Sequence, residues 1–334
     1  MYISYYLPEQ KLTNAELENV YSNPSWTASK IYRKTGIKSR HIAGSELVSD
    51  MAVKAAQNLF DEYGVSPHDV DFVLLCTQSP DYFLPTTACI VQERLGIPTP
   101  VGAMDYNLGC SGYVYGLAIA KGLLCAGIAN NVLLITSETY TKHINPLDRS
   151  TRTVFGDGAS ATFLTKDDIS SRIGEFVLGT DGKGAPNLII PAGGMAQPKN
   201  AETSIAKEDQ SGNMRSAENI YMNGPEIYAF TLRAVPTLIS KTLSKNNLTM
   251  EQIDYVVLHQ ANKLVLTSLR DKLDIPDDKF CIDVEELGNT VSSTIPIAIK
   301  RAMTRVPEKF KLGSKILIAG FGIGYSWGGT VITI

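Results

Sequence analysis

The chain has 334 residues, 44% of them apolar and 19% charged. That balance suits a large buried core and excludes disordered, collagen-like and coiled-coil classes. Basic residues number 31 and acidic residues 34, for a formal charge of −3. No Lys/Arg-rich block with interleaved aromatics occurs, so no nucleic-acid partner is expected.

The opening stretch, residues 1–10, lacks the basic start and apolar run of a signal peptide. The longest apolar stretch, residues 116–129, is broken by Lys121 and too short to span a bilayer, so no membrane segment is expected. Short apolar runs predict buried strands at Phe72–Leu75, Val101–Met104, Val132–Ile135, Val256–Leu258 and Ile316–Ala319. Small-residue helical stretches lie between several of them, which predicts an α/β fold with a covered sheet. Residues 193–216 are rich in Asn, Gln, Lys, Glu, Ser and Gly. They read as a mobile surface excursion or as a lid, and the sequence leaves both open. The five cysteines, Cys76, Cys89, Cys110, Cys125 and Cys281, are odd in number and scattered. They argue against a disulfide framework and for a reducing, cytoplasmic compartment. With four histidines and neither a CxxC nor an HExxH motif, no metal site is expected.

The chain repeats itself. Residues 65–75 match residues 248–258, each a capping turn followed by an acid and a buried strand. Leu108-Gly109-Cys110-Ser111 matches Leu287-Gly288-Asn289-Thr290, and Val132–Ile135 matches Ile316–Ala319. Three matches in one order at a nearly constant offset predict two similar α/β halves, residues 1–170 and 171–334, with equivalent loops meeting at a shared junction. A site is expected there.

Cys110 falls at a strand-to-helix turn, where unpaired N–H groups and the helix dipole favour thiolate. The alternative is a small buried hydrophobe, which is how most free cysteines behave and how the other four read. His259 ends a buried strand, where parallel sheets carry function; a hydrogen-bonded core histidine is the other reading. Asn289 is equivalent to Cys110 by the repeat, although a plain helix N-cap would also suit it. The glycine-rich segment Gly320–Gly329 lacks the Gly-Lys-Ser/Thr of a phosphate loop. Such a turn can aim backbone N–H groups at an oxyanion.

Cys, His and Asn in this order on a duplicated α/β chain resemble the thiolase superfamily and, within it, the β-ketoacyl-acyl-carrier-protein synthase III family. The resemblance runs from end to end. It is carried by residues 6–10, 34–37 and 40–43, by Cys110-Ser111-Gly112 and Phe155-Gly156-Asp157-Gly158-Ala159, by His259-Gln260-Ala261-Asn262 and Gly288-Asn289-Thr290, and by Gly320–Gly329. It implies a thiolase-like fold of two duplicated halves in five layers, αβαβα, and a homodimer. The activity implied is the decarboxylative Claisen condensation of a Cys110-bound acyl group with a malonyl thioester, in fatty acid or related acyl biosynthesis. Coenzyme A or acyl-carrier-protein thioesters would be the substrates, with no cofactor.

The resemblance gives His259 and Asn289 the thioester carbonyl and the backbone N–H groups of Cys110 and Ile323 the oxyanion. Lys34, Arg149, Gly224, Asn262 and Lys263 take substrate or carrier roles, and Leu84 lies on a rim shared between protomers. Departures from the family pattern include Lys30 at a tryptophan position (with Trp26 nearby), Leu264 at an arginine, Ile323 at a glycine and Pro225 at an asparagine. They suggest a specialised paralogue in an accessory pathway. Two other readings stay open: an acyltransferase to an oxygen or nitrogen nucleophile, and a non-catalytic acyl-binding partner subunit.

Overall fold

The computed structural model describes residues 1–167 and 172–334. Two mixed sheets dominate it. The first takes strands Tyr2–Tyr6, Gly158–Thr165, Asn131–Glu138, Phe72–Cys76 and Gly102–Tyr106, in that spatial order. The second takes Val177–Thr180, Ser326–Thr333, Lys315–Gly322 and Tyr255–Leu258.

The two sheets have the same construction. Phe72–Cys76 runs parallel to Asn131–Glu138, as Tyr255–Leu258 does to Lys315–Gly322. In each sheet two antiparallel neighbours follow, Gly158–Thr165 with Tyr2–Tyr6 and Ser326–Thr333 with Val177–Thr180. Where Gly102–Tyr106 closes the first sheet, a single parallel bridge, Val256 to Phe280, stands in the second. All five strands foreseen from apolar runs are present, most of them extended by a residue or more. Four of them are rich in Val, Ile and Leu because both faces are covered, whereas the edge strand Gly102–Tyr106 has none and is only partly buried. The expected boundary between residues 170 and 171 lies outside the described residues.

Helices make the remaining three layers. Gly112–Cys125 and Thr294–Arg305 pack between the sheets, sharing a core of Leu117, Leu124, Ile295 and Ile299 with strand residues of both. Val48–Tyr63 and Thr87–Arg94 cover the outer face of the first sheet, and Gly224–Lys245 and Lys263–Lys272 that of the second. This is the five-layered αβαβα arrangement. Gly112–Cys125 can sit centrally because its sequence is apolar almost all round. Cys125 corrects the reading of four core cysteines: it ends that helix exposed, while Cys89 is half-buried and Cys76 and Cys281 are buried.

The polar stretch 193–216 is a largely exposed surface excursion and does not line the central cavity, but its second half is ordered. Lys207–Glu208 pairs antiparallel with Met214–Arg215 in a short hairpin. Arg215 bridges Asp209 and the fully buried Asp148, each at 2.9 Å. The Asp148 carboxylate also accepts from the N–H groups of Ser150 and Thr151, capping the short helix Arg149–Arg152. The hairpin is thus tied to a helix end by charge-assisted bonds.

Candidate active site

The parallel strands of both sheets end toward one junction between the halves, and the loops that follow them meet there. Cys110 precedes the helix Gly112–Cys125, His259 follows the strand Tyr255–Leu258, and Asn289 precedes Thr294–Arg305. All three line one cavity of about 310 Å3, together with Gly224, Asn262 and Phe321. A wider cleft of about 490 Å3 holds Lys263, Tyr32 and Arg305 but none of the three; the chemistry argues for the smaller one.

Cys110 is buried. Backbone N–H groups of Ile323 and of Cys110 itself point at its sulfur and pull its pKa down, but burial outweighs them and, with buried Glu138 nearby, pushes it up to about 12. The thiolate expected from the helix end is therefore not the resting form. Gly322 explains why the strand Lys315–Gly322 can approach so closely: a Cβ there would lie 2.7 Å from the Cys110 Sγ.

His259 is held by its Nδ1, 2.7 Å from the Thr294 hydroxyl oxygen. That hydroxyl donates to the Val291 carbonyl at 3.0 Å. With its proton spent there, Thr294 accepts, so the geometry assigns the proton to Nδ1. Nε2 then faces the Asn289 amide nitrogen at 3.4 Å. Burial lowers the His259 pKa to about 3, so the imidazole is neutral. The Asn289 side-chain oxygen accepts from the Val291 N–H at 2.9 Å, which turns the amide nitrogen toward His259. Val291 itself is in the left-handed region, at φ 56°, a strained place for a β-branched residue. Its side chain is fully buried.

Among the other candidates, Gly224 and Asn262 line the cavity, and Asn262 also caps Lys263–Lys272 through the Val265 N–H. The rest lie elsewhere. Lys34 sits over the Trp26 ring, 4.1 Å from its centroid. Lys263 packs over Gly36. Arg149 lies over Tyr21 and against Gly212 of the hairpin. Leu84 is 86% exposed on a loop outside the cavity. Ile323 lines a second, smaller cavity on the far side of the Cys110 loop.

Sequence reading missed Glu138. It ends the strand Asn131–Glu138 fully buried, and burial raises its pKa to about 8. It accepts from the Gln78 N–H, the Ser79 hydroxyl and, across the junction, the Ser292 hydroxyl at 3.1 Å. A carboxylate three residues past the apolar run Val132–Ile135 was the available signal. Among the described residues, no cluster of three or more His, Cys, Asp or Glu could hold a metal ion, and no helix is long and apolar enough to cross a membrane.

Two family models match the chain. One describes 3-oxoacyl-[acyl-carrier-protein] synthase III and covers residues 104–182; the other describes the C-terminal part of the same synthase and covers 243–334. A β-ketoacyl-[acyl-carrier-protein] synthase III of Caldanaerobacter subterraneus is 36% identical over 98% of this chain and 95% of its own length. The synthase III of Lactococcus lactis is 34% identical over 99% and 97%. A solved 3-oxoacyl-(acyl-carrier-protein) synthase III superposes with a TM-score of 0.94 at 50% identity, covering 99% of this chain and 98% of its own. A priming β-ketosynthase of the R1128 polyketide pathway gives 0.85 at 27%, covering 100% and 95%.

Proposed function

Because the chain belongs to the 3-oxoacyl-[acyl-carrier-protein] synthase III family, its activity is the decarboxylative condensation of an acyl group with a malonyl thioester, and we propose that Cys110, His259 and Asn289 carry that reaction. The observation that supports this assignment is their convergence on one cavity, with two backbone N–H groups aimed at the Cys110 sulfur.

The pair rests as thiol and neutral imidazole. When a thioester carbonyl reaches the Cys110 and Ile323 N–H groups, His259 Nε2 takes the thiol proton and the sulfur attacks. The thiolate of the donor leaves and is protonated by water. The malonyl thioester follows. Nε2–H, now a donor, and the Asn289 amide bond its thioester oxygen. The carboxylate departs as carbon dioxide, and its electron pair enters the enolate that the two donors stabilise. The enolate carbon attacks the acyl carbonyl, the C–S bond breaks, and Cys110 recovers its proton from Nε2. Decarboxylation supplies the carbanion, so the thioesters suffice and the scheme calls on no cofactor.

Carrier-protein thioesters fit better than coenzyme A as donors. The Trp26 face is covered by Lys34, and Arg149 is engaged with Tyr21 and Gly212, so neither is free to stack a purine. Lys263 and Arg33 line a surface pocket that shares Leu264 with the cavity, and they suit an acidic carrier. These features support the reading of a specialised paralogue in an accessory acyl pathway, and robust turnover with acetyl-coenzyme A would sink that reading. A cytoplasmic location accords with five free cysteines. The division into halves 1–170 and 171–334 accords with the matching strand orders.

Intact-mass measurement after incubation with acyl thioesters, coupled to carbon dioxide release from malonyl carrier, tests the assignment. The parent should gain an acyl mass that Cys110→Ala does not. Asn289→Ala should acylate yet release carbon dioxide on the order of a hundredfold more slowly. Acyl transfer without carbon dioxide would favour an O- or N-acyltransferase, and absence of any adduct would favour a silent partner subunit.

A further inference from the structure

The smaller cavity encloses about 180 Å3, and Ile323 forms part of its wall. The Cys110 sulfur belongs to the larger cavity and not to this one. The Ile323 N–H reaches that sulfur, and Leu188 lines both spaces. Gly109, one residue before the nucleophile, closes the gap. A Cβ there would lie 2.5 Å from the Gln78 side-chain oxygen and 2.7 Å from the Ile323 Cγ2. The larger cavity has to admit the thioester arm beside His259 and Asn289. The chain of an acyl group on Cys110 is then left the smaller one, which has room for roughly six non-hydrogen atoms at about 30 Å3 each.

The walls of this chamber are not uniformly apolar. Leu188, Ile220 and Ile323 face a polar set of Gln78, Asn107, Tyr140 and His143. The Tyr140 hydroxyl donates to the Gln78 side-chain oxygen, and the Gln78 amide donates to the Asn107 side-chain oxygen at 2.9 Å. Tyr140 is fixed by stacking on Phe155, centroids 5.3 Å apart. The chain of bonds leaves the Tyr140 oxygen lone pairs and the Asn107 amide hydrogens to spare. Burial and the nearby Lys199 and Lys142 hold the His143 imidazole below its ordinary pKa, so it offers both a donor and an acceptor. A saturated hydrocarbon chain would strip water from these groups and return no hydrogen bond.

We propose that the chamber selects a short acyl group bearing a hydrogen-bonding substituent, such as a hydroxyacyl group, over a saturated chain of the same length. Tyr140 and Gln78 are its specificity-determining residues. The proposal rests on the condensing role of Cys110 and names the acyl class for that site.

The test uses N-acetylcysteamine thioesters, which bypass both carrier and nucleotide recognition. The full-length protein is incubated with the butyryl, hexanoyl, (R)-3-hydroxybutyryl and (S)-3-hydroxybutyryl compounds, and the rate of mass gain at Cys110 is recorded. One 3-hydroxybutyryl enantiomer should label at least tenfold faster than butyryl. Tyr140→Phe and Gln78→Leu should each bring that ratio toward one; because the ratio is taken within one sample, poor folding of a variant does not move it. Equal or faster labelling by butyryl or hexanoyl in the parent overturns the selectivity, as does a ratio untouched in both variants. Absence of any adduct overturns the condensing assignment itself, a distinguishable result.

Discussion

Cys110 and His259 show how burial reverses an expectation drawn from local chemistry. The turn before a helix favours thiolate, and two N–H groups do act in that direction. Desolvation of the charge outweighs them, as it does for the imidazole. The thiol sits up at about 12, so its thiolate fraction grows tenfold per pH unit throughout the neutral and mildly alkaline range. Alkylation of Cys110 by iodoacetamide should therefore rise steadily from pH 6 to pH 10 without a plateau. A plateau near pH 7 would reveal an activated thiolate–imidazolium pair instead. Thr294 could not be foreseen as a partner of His259, because the two meet only through tertiary packing across 35 positions of chain.

At the scale of elements, strands were readable and irregular polar segments were not. Phe72–Cys76 and Tyr255–Leu258 are apolar runs between turn signals, and their shared context exposed the repeat. The hairpin Lys207–Arg215 carries no apolar alternation; its order comes from Asp148, about sixty residues upstream, and composition alone reads as looseness. Glu138 was overlooked because its partners Gln78 and Ser292 reach it only through tertiary packing, across 60 and 154 positions of chain. Asp148→Ala removes the buried anion from Arg215 and the cap from Arg149–Arg152. It should cost about 3 kcal/mol and open the Lys207–Arg215 segment to trypsin. Unchanged stability in urea together with unchanged protease resistance would show that the hairpin is held by something else.

For the whole molecule, the edge of the first sheet stands out. Gly102–Tyr106 has a strand partner on one side only, and Phe83 and Leu84, 87% and 86% exposed, closely precede Thr86, whose hydroxyl accepts from the Asp105 N–H of that strand. An open edge next to exposed apolar side chains invites a second copy. We predict a homodimer across this edge: sedimentation at micromolar concentration should give twice the chain mass, and Phe83→Glu with Leu84→Glu should shift it to one. A monomeric parent would refute the edge as an interface. The whole molecule also bears the cost of one peptide. Val291, left-handed and buried, costs on the order of 1–3 kcal/mol, and only the surrounding core can hold it there. Its N–H fixes the Asn289 amide, and its carbonyl takes the Thr294 proton that sets the His259 tautomer. The dipoles that would meet a growing enolate are thus turned during folding, so little reorganisation energy is left for the chemical step.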